Sequence, residues 1–494
     1  MLKPYPFVKS TGERDDDERK FTMQISKRDF LKRLGLGGAA AITGAAFGDE
    51  YVASSSKLPP GAIGDPKNPF FGKWIYPIEH TFEDGPSSFM QNGKVMMPGR
   101  EVPVFHKTDV VVVGGGSAGF AAAVAAAKTG AKVALVEKDG SLGGLFTNGM
   151  VLIVLSTARR EAGGDYTVVT RGVCGEFMDR AQALGSAFCR KPSKKNRMQP
   201  TIDPEGAKYL MDRMVEEQKI DMFFHAWGID VIQEGNKVRG IVFMSKQGMQ
   251  AILAKTIVDC TGDGDIYFAA GAQYRQITHG IGFISRWANI DRITAKRKPR
   301  DENGKVLPGH WIMKSNEANP STCWTSVPNR HGDGLNIRNL TREEIYHRKE
   351  TWQTVQKLRN TPGWEEVFIA NTCSQIGPRV TRLLKSECVV DRAMLANDWN
   401  PDDAVGWFGA DGPHPAWKVP YRSLLPVGVD NLLSAGRCIG APDTCDTFRL
   451  IAPCFVTGEA AGTAAALAAL SGKSPRDVDI RTLQKTLVGN GVYL

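Results

Sequence analysis

Three glycines and one acid carry the clearest chemistry in the chain. Gly114, Gly116 and Gly119 close the segment Asp109-Val-Val-Val-Val-Gly-Gly-Gly-Ser-Ala-Gly119, and Glu137 follows the apolar run Val133–Val136. Gly114 permits a sharp exit from a strand. Gly116 lets backbone N–H groups reach a pyrophosphate, and Gly119 lets a helix pack closely on a sheet. A helix starting at Ser117 and Ala118 offers unpaired N–H groups and the positive end of its dipole to a phosphate. Glu137, with Lys138 beside it, can accept hydrogen bonds from ribose hydroxyls. The order strand, glycine turn, helix, strand, acid is that of a site for the ADP half of a dinucleotide. The plain alternative is a glycine turn before a core helix, but the surrounding order is complete.

A second group of side chains could act on a substrate. Arg379 and Arg382 are three apart and share a face if their segment is helical. Arg449 lies just before a small-residue helix. Such arginines hold carboxylates or stabilise oxyanions, although each could equally form a structural salt bridge. His414, in the loop Asp411-Gly412-Pro413-His414, is a candidate base, and His279 and His331 are weaker ones. Cys445 is a candidate reactive group, with burial as a small hydrophobe as the competing reading.

The elements that must position these residues are those of an α/β protein. Its 494 residues suffice for two or three domains. The net charge of +9 is scattered, and its modest clusters at 190–197 and 296–300 have no interleaved aromatics, so nucleic acid is not an expected partner. The nine cysteines include no CxxC pair, so no metal site is expected. No apolar run has the length of an ordinary membrane span.

Residues 1–53 read as an address. Ser26-Lys27-Arg28-Asp29-Phe30-Leu31-Lys32 precedes a mildly apolar stretch from Gly35 to Phe47, which resembles a twin-arginine export signal with Lys27 in place of its first Arg. Met23 would start a signal of ordinary proportions, and cleavage would fall between Ala45 and Ala53. Residues 54–105, rich in Pro, Gly and aromatics, read as an extended arm. Residues 106–270 hold the first part of a dinucleotide domain. Its helices are expected near Val173–Leu184 and from Pro204, and its β-meander at Asp221–Phe224, Gly228–Gln233, Val238–Met244 and Gln250–Ala254. A further apolar strand, Thr256–Asp259, enters a second glycine turn. Residues 271–425 read as an inserted α+β substrate domain. Residues 426–475 return to the first domain with a strand at 431–434 and a helix from about Pro453 to Leu470, where Gly458 and Gly462 allow close packing; 476–494 form a C-terminal segment.

Several stretches together resemble the FAD-dependent oxidoreductases of the fumarate reductase-like superfamily. They are Val112–Gly119, Leu142-Gly143-Gly144, Val258–Asp265, Ile376–Arg382, Val419–Pro426, Asn431–Arg437, and Arg449 with Thr457–Ala466. The resemblance covers residues 107–470 and implies a Rossmann-like FAD-binding domain with a β-meander. It implies that Gly114, Gly116, Ser117, Ala118, Gly119, Glu137, Lys138, Gly144 and Leu145 bind FAD, with an adenine contact near Gly228. Thr261, Gly262 and Asp263 would lie along the ADP moiety, and Gly436 and Arg437 would approach the ribityl chain. The helix start at Ile451 would face the flavin N1–C2=O edge, where its dipole favours negative charge. The absence of a second GxGxxG argues for one dinucleotide. Relatives often carry a His-containing stretch before Arg449, where this chain has Pro442-Asp443-Thr444-Cys445-Asp446-Thr447; either Asp443, Cys445 or Asp446 takes the place of the histidine, or the substrate differs.

The expected function is an exported FAD-dependent dehydrogenase of a small polar organic substrate. Outside the cytoplasm its electron acceptor would be a quinone, a cytochrome or O2 rather than a nicotinamide. The export machinery is then a partner through the N-terminus. A fumarate-type reductase of an activated alkene and a non-catalytic flavin-fold binding protein are the alternatives.

Overall fold

A computed structural model describes residues 87–494, apart from 302, 308–313, 397–398 and 410–415. The export signal, most of the expected arm and His414 lie outside the described residues.

The first long strand, β1 (Val104–Val113), begins a little before the expected domain boundary, and its last four residues are buried valines. Such an unbroken apolar run is what a strand covered on both faces requires. Helix α1 (Ser117–Lys128) follows, then β2 (Val133–Val136), which lies parallel to β1 with Val110 opposite Val133. Helices α2 (Val173–Ala183) and α3 (Pro204–Glu217) come next. Asp203 caps α3 by accepting from the Glu205 and Gly206 N–H groups, with Pro204 in the first turn. Strand β3 (Asp221–Phe223) pairs parallel to β2, so it closes the parallel edge of the sheet and is not a strand of the meander as expected. The meander follows as β4 (Trp227–Glu234), β5 (Lys237–Ser245) and β6 (Gly248–Asp259).

Strand β6 differs from expectation. The segments 250–254 and 256–259 form one twelve-residue strand. Its first half pairs antiparallel with β5, and it runs parallel to β1 from Ala251 to Asp259. One strand therefore joins the meander to the parallel sheet, which removes any need for a break at Lys255. The sheet order is β4-β5-β6-β1-β2-β3.

The next region has its own sheet. Strand β7 (His279–Ala288) pairs antiparallel with β8 (Thr322–Gly332), β9 (Phe368–Thr372) and β10 (Gly377–Pro378), and helix α4 (Ile337–Arg359) packs on it. The later part of the expected substrate domain behaves otherwise. Val390, Val405, Phe408, Trp417, Tyr421 and Leu424 join the main core beside α1.

The chain then returns to the first sheet. Strand β11 (Leu432–Ser434) lies parallel to the end of β6. Helix α5 (Ile451–Ser471) packs along α1 with almost no apolar preference for one side, because most of its residues are buried. Contrary to the expectation that no apolar run reaches that length, it has the length and hydropathy of a membrane span, yet it is the buried central helix of this core. Gly458 and Gly462 set its distance from α1. A Cβ at either would lie 2.1 or 2.0 Å from the carbonyl oxygens of Ala118 or Ala122.

Candidate active site and cofactor cavity

The carboxyl ends of β1, β2 and β6 and the starts of α1 and α5 line one cavity. Gly114, Gly116, Ser117, Ala118, Glu137, Lys138, Gly144, Leu145, Thr261, Gly262, Gly436, Arg437, Arg449 and Ile451 all line it, as expected from the sequence. Phe146, Gln375 and Cys454 are among the additional lining residues.

The glycine turn is shaped by close approach. Gly114 has φ +96°, and a Cβ there would lie 2.5 Å from the Cys260 carbonyl oxygen. A Cβ at Gly119 would lie 1.7 Å from the Gly114 oxygen, so Gly119 sits beneath the turn and not at the cavity wall. Gly116 is the opposite case: a Cβ there meets nothing within 4 Å. The space in front of Gly116 is therefore open to a ligand, and the uncapped start of α1 faces it.

At one end of the cavity the Glu137 carboxylate is fixed by backbone donors. Its Oε2 accepts from Gly115 N at 2.5 Å and its Oε1 from Asp139 N at 2.8 Å. Burial raises its pKa and these two bonds oppose the shift. Lone pairs remain on both oxygens for ribose hydroxyls. Lys138 beside it pairs with Asp139.

The middle of the cavity is organised by a residue to which the sequence reading gave no role. Asp259 is fully buried and accepts from the Thr261 N–H and hydroxyl and from the Ile266 and Tyr267 N–H groups. Burial lifts its pKa to about 6 against the pull of those bonds. It thus shapes the Thr261-Gly262-Asp263 loop; an acid closing an apolar strand before a glycine turn was the available signal. Asp263 does not face the cavity. It pairs with Arg437 at 2.8 Å and accepts from Thr381 at 2.6 Å, which holds the buried Arg437 guanidinium across Gly262.

The far end contains the start of α5. Leu450 is the N-cap residue, no side chain caps the helix among the described residues, and the first turn has no acid. Its first N–H groups are thus available to an acceptor in the cavity. Beside Ile451, Arg449 donates to Asp446 at 3.0 Å. Asp446 also faces His279, with Nε2 and Oδ1 3.4 Å apart, and His279 stacks on His331 at 5.8 Å. The Gly280 N–H donates to His279 Nδ1 at 2.7 Å, which leaves the imidazole proton on Nε2, toward Asp446. Burial lowers the His279 pKa; the Asp446 charge opposes this, and Arg449 and Arg379 add to it. For Asp446, burial pushes upward, but the hydrogen bond and charge of Arg449, with His279 behind, hold the carboxyl below its ordinary range. Arg379 is close enough to Arg449 for their charges to interact, and burial lowers its pKa.

Two expectations are corrected, one at this end and one on the meander. Arg379 and Arg382 do not share a helix face, because Gly377-Pro378 is a strand pairing with β7 and Arg382 begins another. Arg382 is turned away from Arg379: it pairs with Asp265 at 2.9 Å and lies 4.3 Å over the Phe268 ring. Gly228 does not reach the cavity wall either, since its backbone is packed on Val113 and Ile266. Cys445 is buried with Val380 and Leu383, and burial raises its thiol, as befits a small hydrophobe.

A parallel sheet with a glycine turn, a buried acid held by backbone donors and a second helix start beside one cavity defines a dinucleotide-binding flavoprotein. The family model described as FAD dependent oxidoreductase matches residues 109–487, so the chain belongs to that family and its cofactor is FAD. Among curated proteins it is similar to dihydrolipoyl dehydrogenase of Trypanosoma brucei brucei, 56% identical over 46 residues, 9% of this chain and 10% of that one. A match to glutathione reductase of Schizosaccharomyces pombe, 54% identical, has the same extent. The aligned segments thus span only 10% of these relatives' lengths. Among solved structures, a geranylgeranyl bacteriochlorophyll reductase-like protein from Thermoplasma acidophilum is 14% identical over 78% of this chain and 84% of that one, with a TM-score of 0.40. A flavin-dependent brominase is 14% identical over 78% and 83%, with a TM-score of 0.38.

Proposed function

We propose that the protein is an exported dehydrogenase that oxidises a small polar organic donor, such as a hydroxy compound, sugar or hydroxy acid. The observation that carries this reading is the cluster of Arg449, Asp446, His279 and Arg379 beside the start of α5. Bound in the cavity, FAD supplies the acceptor for a hydride equivalent from the donor carbon. Arg449 and Arg379 offer positive charge to a carboxylate or a developing oxyanion. Asp446 Oδ1 is engaged by Arg449 and His279, which leaves Oδ2 to take the hydroxyl proton of the donor. His279 acts through Asp446, by holding its orientation. The fumarate reductase-like resemblance belongs to this reading as well. The same arginines would suit a carboxylate-bearing alkene reduced in the opposite direction, and that is the second reading.

The pattern at Ser26–Lys32 supports export, which suits a protein that folds around its cofactor before transport. Reoxidation then falls to a quinone, a cytochrome or O2.

The test is anaerobic. Purified protein is mixed with hydroxy acids, polyols and sugars, and the visible flavin band is followed. Bleaching by one of these classes, lost in Asp446→Asn, is expected. If no donor bleaches the band but the reduced protein is reoxidised by an activated alkene, the direction is reversed. Protein without flavin would leave only the non-catalytic reading.

A further inference from the structure

Helix α4 has an exposed face that its role in the sheet does not explain. Its inward residues, among them His347, Thr351, Val355 and Leu358, are buried on the sheet. On the adjoining flank Ile337, Ile345 and Trp352 are 78%, 61% and 60% exposed. At about 100° per residue these three side chains form one stripe along a helix of about 34 Å. Arg338, Arg342 and Lys349 are exposed along one margin, and Arg348 is exposed between Ile337 and Trp352. Glu343 is buried, and Glu344 and Glu350 are half-buried at the edges of the inward face; Glu343 lies 3.4 Å from Arg342 and Glu344 3.1 Å from Arg348.

We propose that this face docks on an anionic lipid surface. An apolar stripe with a Trp and a cationic rim is the pattern of a helix that lies in the headgroup layer. The rim complements lipid phosphates, and each basic residue near such a surface adds to binding. A second copy of the chain fits less well, because two such faces would bring like charges together. The surface also adjoins the candidate site. Arg330 lies 4.3 Å over the Tyr346 ring of α4 and precedes His331, which stacks on His279. A docked protein would thus hold that site near the headgroups, where a lipid-soluble electron carrier is met. That consequence rests on the oxidoreductase reading; the lipid contact does not.

The test is sedimentation of the full-length, FAD-loaded protein with phosphatidylcholine vesicles, with and without phosphatidylglycerol. Binding to the anionic vesicles only, weakened by salt, is expected. The basic stretch at Ser26–Lys32 could also meet lipid, so the variants decide. Arg338→Glu with Lys349→Glu should lower partitioning about thirtyfold or more. Ile345→Glu with Trp352→Glu should also lower it, with flavin content and melting temperature unchanged. Wild-type protein left in the supernatant, or variants that bind as well as wild type, would overturn the proposal. So would a dimer, seen by light scattering, that the same substitutions disperse. An acidic protein that binds this face while vesicles do not would overturn it too.

Discussion

Replacing Glu459 by Gln should make the protein more stable at neutral and alkaline pH. Glu459 lies in the middle of α5, 2% exposed, and its Oε2 accepts from the Val173 N–H at 2.9 Å. It therefore caps α2 from another helix, since the N-cap position is Gly172, which has no side chain. Gly172 is shaped for this contact: its φ is +62°, and a Cβ there would lie 2.3 Å from Glu459 Oε2. Burial raises the carboxyl from its ordinary 4.5 to about 8, and the Val173 bond only partly offsets that. At about 1.4 kcal/mol per pH unit, the charged form is disfavoured by about 5 kcal/mol. The folded-state value lies above the unfolded one, so the contribution of this group is complete below pH 4.5. It declines as pH rises and is lost once pH passes 8, with about 3 kcal/mol already gone at pH 7. Glutamine keeps an acceptor for Val173 and has nothing to ionise. Urea or thermal unfolding of both proteins from pH 5 to 9 should give similar stability at the acid end and a widening advantage for Glu459→Gln above it. Parallel curves would refute the reasoning, because they would mean that Glu459 ionises freely in the folded state.

Other predictions address the cavity and the helix pair. Gly116→Val should keep the fold and lose the cofactor. The backbone at Gly116 is extended with φ −65°, and the added side chain enters open space, so melting should change little while bound flavin disappears. Gly462→Ala should destabilise by about 1–3 kcal/mol, read from thermal unfolding, because its Cβ would be driven against the Ala122 backbone. Asp446→Asn should lower turnover by at least about a hundredfold with flavin retained. Arg449 and His279 hold the Asp446 carboxyl low, so kcat/KM should persist below the ordinary carboxylate range on the acid side. His279→Gln removes part of that pull and should move this acid limb upward.

Local signals made the nucleotide half legible. The valine run, the turn at Gly114–Gly119 and Glu137 are all within one short unit, and the structure lines one cavity with most of them. Gly458 and Gly462 were equally readable, because their spacing alone places them on one helix face. Gly228 was not, since its place depends on the meander's register, which shifts between Gly228 and Asp230. Pro378 could have warned against a helix through Arg379 and Arg382. At the far end Arg449, Arg379, His279 and Asp446 were each named from the sequence, but not as one group. His279 opens a strand of the second sheet and Asp446 sits in a short helix before α5; only the tertiary fold brings them together. Neither has a local pattern that distinguishes it from a solvated residue.

The most direct test of the central claim is the flavin content of the purified chain, released by denaturation and identified by chromatography. The cavity built from Gly114, Gly116, Glu137 and the start of α5 predicts one FAD for each chain, absent from Gly116→Val. Wild-type protein that carries no FAD and takes up none when FAD is added would contradict the account.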